Sequence, residues 1–245
     1  MGSAGCRSGF DFCDISCDGT GMPTEVKICG LSGEEGVDAA LSAGVDFVGF
    51  MLFPPSPRNI SLARASVLAD RVRGRARIVA VTVDGDDALF RAISELLRPD
   101  FLQLHGKESP DIVDAIRAST GTPVMKALGI AQQRDLELAG NYQTDRLLLD
   151  AKPPRDATRP GGHGVSFEWS VLRGFSPPTP WFLSGGLDPA NVATALSVTN
   201  APGVDVSSGV ESAPGRKDPA RIWAFVDAVR AFDRQAGEAG REHAA

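Results

Sequence analysis

From Glu25 onward, short β-branched and aliphatic runs alternate with stretches whose apolar positions recur at helical spacing. The pattern predicts strands near Val26–Cys29, Phe47–Phe50, Ile78–Val83, Phe101–Leu104, Val124–Ala127, Leu147–Asp150, Trp181–Leu183 and Val204–Val206. Helices are predicted over Glu34–Ser42, Leu62–Val72, Ala88–Leu97, Pro110–Ala118, Gln132–Ala139, Pro189–Val198 and Ile222–Phe232, with a short one at Phe167–Leu172. Alternating elements of this kind imply a parallel sheet. Eight such units in about 220 residues fit a closed α/β barrel, a single-domain (β/α)8 TIM barrel, better than an open doubly wound sheet. The barrel is expected over residues 22–235, with a flexible tail at 236–245.

Successive side chains point to opposite faces of a strand. Lys27 and Cys29 therefore share a face, as do Gln103 with His105 and Asp205 with Ser207, while Asp150 ends the run Leu147-Leu148-Leu149. If the leucines and valines face the surrounding helices, these polar groups converge inside the barrel. They stand at C-terminal strand ends, where barrel enzymes place their active sites. A single polar residue so placed is commonly a satisfied core group; four strands doing so together point to chemistry.

Composition narrows the class. Of the 245 residues, 42% are hydrophobic and 23% charged, the balance of an ordinary soluble globular protein. A net charge of −6 argues against nucleic acid as a partner, which calls for a basic footprint. No apolar run approaches the roughly 20 residues that span a bilayer, and the N-terminus lacks the pattern of a signal peptide. A cytoplasmic location, no membrane partner and a monomer rather than a homodimer are expected. Three of the four cysteines, Cys6, Cys13 and Cys17, fall in residues 1–21, a Gly-, Ser- and Asp-rich stretch read as a disordered leader before the fold begins at Met22. Disulfides and a zinc site are the alternatives; the first needs a small secreted chain and the second lacks a further Cys or His pair at ligand spacing.

The same strand ends carry ordered motifs. Lys27-Ile28-Cys29-Gly30-Leu31 opens the series, followed by Gly49-Phe50 and Phe53-Pro54-Pro55-Ser56-Pro57-Arg58. Leu102-Gln103-Leu104-His105-Gly106, Leu148-Leu149-Asp150-Ala151-Lys152 and Ser184-Gly185-Gly186-Leu187 come next, then Asn191-Val192. Val204-Asp205-Val206-Ser207-Ser208-Gly209-Val210-Glu211 and Pro214-Gly215-Arg216-Lys217-Asp218 close it. In this order the set closely resembles the phosphoribosylanthranilate isomerase family of tryptophan biosynthesis, from Met22 to about Phe232.

The resemblance implies an Amadori rearrangement of N-(5-phosphoribosyl)anthranilate with no cofactor and no metal. It makes Cys29 the general base and Asp150 the general acid, and gives Arg58 to the anthranilate carboxylate. A planar guanidinium suits that partner. Lys27, Gln103, His105 and Asp205 are expected to contact substrate. Backbone groups of Gly185, Gly186, Ser207, Ser208 and Gly209, in the loops after strands seven and eight, are expected to hold the phosphate. Asp150 must carry a proton when substrate binds. Cys29 needs help to ionise at neutral pH, and Lys27 on the same strand face is the candidate source. Gly161-Gly162-His163-Gly164 resembles the family's glycine-rich loop after strand six.

The chain departs from the family pattern at His163, where a Ser or Thr is expected, at Thr82-Val83-Asp84 in place of Phe-Val-Asn, and at Pro55 in place of Lys. The related isomerase of histidine synthesis, or a dual-substrate version, is the nearest rival. Those enzymes pair aspartates on strands one and five, and Cys29 ends strand one here. A barrel that binds phosphosugars without turnover is disfavoured by the presence of Cys29, Asp150 and Arg58.

Overall fold

The computed structural model describes residues 22–152 and 168–244. Eight parallel strands close into a barrel in sequence order: β1 Glu25–Cys29, β2 Phe47–Met51, β3 Arg77–Thr82, β4 Phe101–Leu104, β5 Val124–Ile130, β6 Arg146–Ala151, β7 Trp181–Leu183 and β8 Gly203–Val206. Pairing of β1 with both β2 and β8 completes the ring. The predicted (β/α)8 barrel is therefore the observed fold.

The strand alternation also sorts as expected. Val26, Ile28, Val48, Phe50, Leu102, Leu104, Leu147, Leu149, Val204 and Val206 pack outward in the layer between strands and helices. A separate inner cluster holds Cys29, Phe47, Val79, Val81, Met125, Ala127, Leu148 and Phe182. Below it, the Arg146 guanidinium lies 5.0 Å from the Phe47 ring centroid, 5.7 Å from Phe101 and 5.4 Å from Phe182, and pairs with Glu25. Rings and a stacked cation thus plug the N-terminal floor, so polar side chains can gather only at the other end.

The helices are α1 Glu34–Ser42, α2 Leu62–Val72, α3 Asp87–Ala92, α4 Pro110–Thr120, α5 Val192–Thr199 and α6 Pro219–Ala244. Their starts follow local chemistry. The side chains of Ser61, Asp86 and Ser109 accept from the N–H groups of Arg64, Leu89 and Ile112, and Pro110 takes the first turn of α4.

Four features differ from the sequence expectation. The helix expected over Ala88–Leu97 changes to a π turn at Ile93–Leu97, which keeps Ile93 and Leu97 buried. The segment after β5 is 3₁₀, Gln133–Asn141, opened by reciprocal bonds between Gln132 and Asp135. A hairpin of β9 Glu211–Ala213 and β10 Arg216–Lys217, turning at Pro214-Gly215, follows β8. The expected tail is helical as far as Ala244, because the residues beyond Phe232 contain no proline and several strong helix formers. Among the described residues no helix is long and apolar enough to cross a membrane. The glycine-rich loop at 161–164 and the cysteines of residues 1–21 lie outside the described residues.

Candidate active site

Cys29 and Asp150 end β1 and β6, and both are nearly buried, at 5% and 6% exposure. On the β1 side, Lys27 is fully buried and its Nζ donates to Asp205 Oδ1 on β8 at 2.6 Å. Ser184 Oγ at the end of β7 donates to the other oxygen of Asp205 at 3.1 Å. Burial by itself would lower the Lys27 pKa, but the charges of Asp205 and Cys29 outweigh it and push it up, so the ammonium is secure.

Burial pushes the Cys29 pKa up, and the neighbouring charges of Lys27 and Lys217 offset this only in part. Asp205, paired with Lys27, adds to the upward shift. Lys27 therefore tempers the cost of ionising Cys29 without abolishing it.

Arg58, in the loop between β2 and α2, lies across the end of β1. Gly30 permits this: at φ +75° it adopts a conformation that favours glycine, and a Cβ there would meet Arg58 Cδ at 2.6 Å. The Arg58 guanidinium is buried and already paired, with Nε and Nη2 donating to Glu211 Oε1 and Oε2 at 2.7 and 2.9 Å. That bidentate pair leaves the Nη1 edge for a further carboxylate. Glu211 Oε1 also accepts from Lys217 Nζ at 2.8 Å. Burial would raise the Glu211 pKa; hydrogen bonds from Arg58 and the charge of Lys217 win and hold it below the ordinary value. Lys217 Nζ further donates to the Ser207 carbonyl at 2.8 Å, and Ser207 Oγ donates to the Cys29 carbonyl at 3.0 Å. The hairpin thus links the end of β8 to Arg58 and to Cys29. Glu211 and Lys217 stand in motifs quoted above, but their pairing across 153 residues to Arg58 has no local signature.

On the β6 side the bonds are of another kind. Asp150 Oδ1 accepts from the Ala151 N–H at 2.8 Å, and Oδ2 lies 3.2 Å from His105 Nε2. His105 Nδ1 is 2.9 Å from Gln103 Nε2. Gln103 lies one layer deeper than His105, fully buried, with its amide on the ring. The loop carrying His105 is braced from outside the barrel by a buried pair that sequence reasoning missed. Lys126 Nζ donates to Glu108 Oε2 at 2.7 Å and to the carbonyls of Leu104 and Gly106, while Glu108 accepts from the N–H of Asp84. Asp84 itself has φ +47°, a region that Asn and Asp enter more readily than most residues, so the departure from Asn is conformationally tolerated.

At the end of β7, Gly185 has φ +89° and approaches β6 so closely that a Cβ would stand 2.6 Å from the Ala151 nitrogen. Gly186 follows it, and Ser208-Gly209 begin a 3₁₀ turn after β8. Most of the expected site residues therefore belong to the C-terminal ends of the strands or the loops that follow them, with Lys27 at the middle of β1. No group of three or more His, Cys, Asp or Glu among the described residues is arranged to hold a metal ion.

Fold and site define a (β/α)8-barrel enzyme with ionisable groups gathered at the C-terminal mouth. Residues 26–228 match the family described as N-(5'-phosphoribosyl)anthranilate (PRA) isomerase. A relative of that name from Rhodopseudomonas palustris is 54% identical over 214 residues, covering 86% of this chain and 98% of the relative. The crystal structure of phosphoribosyl anthranilate isomerase from Thermotoga maritima has a TM-score of 0.77 at 34% identity, covering 85% of this chain and 99% of that one. A crystal structure of phosphoribosyl anthranilate isomerase in complex with reduced 1-(o-carboxyphenylamino)-1-deoxyribulose 5-phosphate has a TM-score of 0.74 at 32% identity and covers the same shares. The chain belongs to the phosphoribosylanthranilate isomerase family.

Proposed function

We propose that this chain converts N-(5-phosphoribosyl)anthranilate to 1-(2-carboxyphenylamino)-1-deoxyribulose 5-phosphate in tryptophan biosynthesis, with Asp150 as general acid and Cys29 as general base. The observation that carries this reading is a thiol and a carboxyl on the inward face at the ends of β1 and β6, the first beside Lys27 and the second held by His105.

The residues suit the steps. Protonated Asp150 gives its proton to the furanose oxygen; the C1–O bond breaks with its electron pair on that oxygen, and the anilino nitrogen forms an iminium. The iminium acidifies the C2 hydrogen, which Cys29 removes as thiolate. The enolamine so formed tautomerises to the ketone. Lys27 steadies the thiolate, and its pairing with Asp205 keeps both buried charges compensated. Arg58 offers its Nη1 edge to the anthranilate carboxylate. Glycines 185, 186 and 209, with Ser207 and Ser208, supply a backbone cradle for the phosphate.

The same reading makes the protein a cytoplasmic monomer, although the Thermotoga maritima relative is dimeric; sedimentation of the purified chain checks the state. Turnover of enzymatically generated phosphoribosylanthranilate, followed as loss of its fluorescence, tests the activity. A rate no greater than the substrate's spontaneous decay would reject it.

A further inference from the structure

Gln103 is fully buried on β4, level with Val81 of β3 and Met125 of β5, both members of the apolar inner cluster. Its amide nitrogen meets His105 Nδ1, yet its carbonyl oxygen Oε1 is buried with no hydrogen-bond partner among the described residues. An unpaired acceptor in such surroundings is costly, and its persistence calls for a reason. Reversing the amide would be no better satisfied, stranding both N–H groups in place of one N–H and the carbonyl oxygen. It would also demand a hydrogen on Nδ1, turning the bare lone pair of Nε2 toward Asp150. The orientation present does the opposite. With an N–H donor on Nδ1, the ring hydrogen belongs on Nε2, aimed at Asp150 Oδ2, while the Ala151 N–H holds Oδ1.

We infer that Gln103 is a positioning residue for the general acid: it fixes His105 in the tautomer whose Nε2–H faces Asp150. This rests on the assignment of Asp150 as acid. When Asp150 releases its proton to the furanose oxygen, negative charge develops on the carboxyl, and two donors already in place receive it. Donors fixed where charge develops lower the barrier without reorganising at the moment of reaction. A group that only sets a histidine tautomer can matter by orders of magnitude in rate. Gln103 is walled off beneath His105 and needs no contact with substrate, so its effect belongs in kcat and not in KM.

The chain has three histidines, so a spectrum of protein labelled with 15N-histidine is simple to assign, His105→Asn marking the His105 signals by their loss. The wild-type protein is expected to show His105 with hydrogen on Nε2 and a bare Nδ1. Gln103→Glu, whose ionised carboxylate accepts at that end, is expected to place a hydrogen on Nδ1 and to lower kcat about 10²-fold with KM unchanged. Gln103→Met keeps the volume without dictating a tautomer, and should lower kcat by roughly 10-fold. A wild-type His105 with its hydrogen on Nδ1 overturns the inference, as does a Gln103→Glu or Gln103→Met protein that keeps the parent kcat. The spectrum needs no variant to fold and no turnover. Full activity in Asp150→Asn would separately remove the acid assignment while leaving the tautomer decided.

Discussion

The two sides of the barrel mouth are built from different materials. Around Cys29 the structure uses charge: Lys27 against Asp205, then Arg58, Glu211 and Lys217 in one buried network. Around Asp150 it uses an imidazole, an amide and a backbone N–H, and no lysine or arginine among the described residues is paired with the carboxyl. The difference follows the chemistry proposed for each group. A base that must become an anion needs cations within reach, while an acid that must keep its proton until substrate arrives is best kept away from them. Both sides avoid uncompensated charge, the first by pairing and the second by hydrogen bonding.

The charged side should be the easier one to break. Lys27→Met leaves Asp205 buried with one hydroxyl for a partner, and a loss of about 3–5 kcal/mol is expected in denaturant unfolding. Lys27→Met with Asp205→Leu should restore most of that stability and none of the activity. A double variant as unstable as the single one would show that the pair matters for packing instead of charge.

Arg58 comes next. Arg58→Ala should weaken substrate binding by about 2–5 kcal/mol, read as KM, because it strands the substrate carboxylate. Arg58→Lys should recover only part, since the bidentate geometry with Glu211 is lost. A parent-like KM in the alanine variant would make the Glu211 pair purely structural.

Glu211 sharpens the comparison through pH. Its folded-state pKa lies below the ordinary 4.5, so its contribution is present above that value and is lost as pH falls through the folded-state pKa. Glu211→Gln should therefore cost most stability at neutral pH, on the order of 1–3 kcal/mol, and progressively less below pH 4.5. A constant difference across the acid range would contradict the ionic role.

The smallest effect is expected from removing residues 1–21. The barrel closes its own N-terminus, with Thr24 N and Oγ1 donating to Asp233 on α6, and Met22 beyond it is 92% exposed. A chain beginning at Met22 should keep its melting temperature and kcat/KM; a drop of several degrees would show that the leader contributes to the fold. That chain also retains Cys29 as its one cysteine. Its thiolate absorbance should then titrate above the ordinary value of 9.0, because burial disfavours the anion, and Lys27→Met should move the midpoint higher still. A midpoint below 9.0 would mean that the neighbouring cations outweigh burial.

Much of this could be read from the chain because strand alternation is local. Val26 and Ile28 outward with Lys27 and Cys29 inward, or Leu149 outward with Asp150 inward, follows from a period of two. What escaped was non-local. Nothing near Glu211 announces Arg58, and nothing near Lys126 announces that it braces the β4 loop outside the barrel while its neighbours Met125 and Ala127 point in. The π turn at Ile93–Leu97 and the 3₁₀ segment after β5 escaped because apolar spacing alone does not separate one helical winding from another. The partner of Lys27 is non-local in the same way: Asp205 lies 178 residues away in the chain and 2.6 Å away in space.

The central claim is that Cys29 and Asp150 divide the proton transfers between them, and the most direct measurement is the single-turnover rate on phosphoribosylanthranilate of purified, folded Cys29→Ala and Asp150→Asn. Each is expected to fall by about 10² to 10⁴-fold with the melting temperature close to that of the parent. A near-parental rate in either variant would contradict the division of roles.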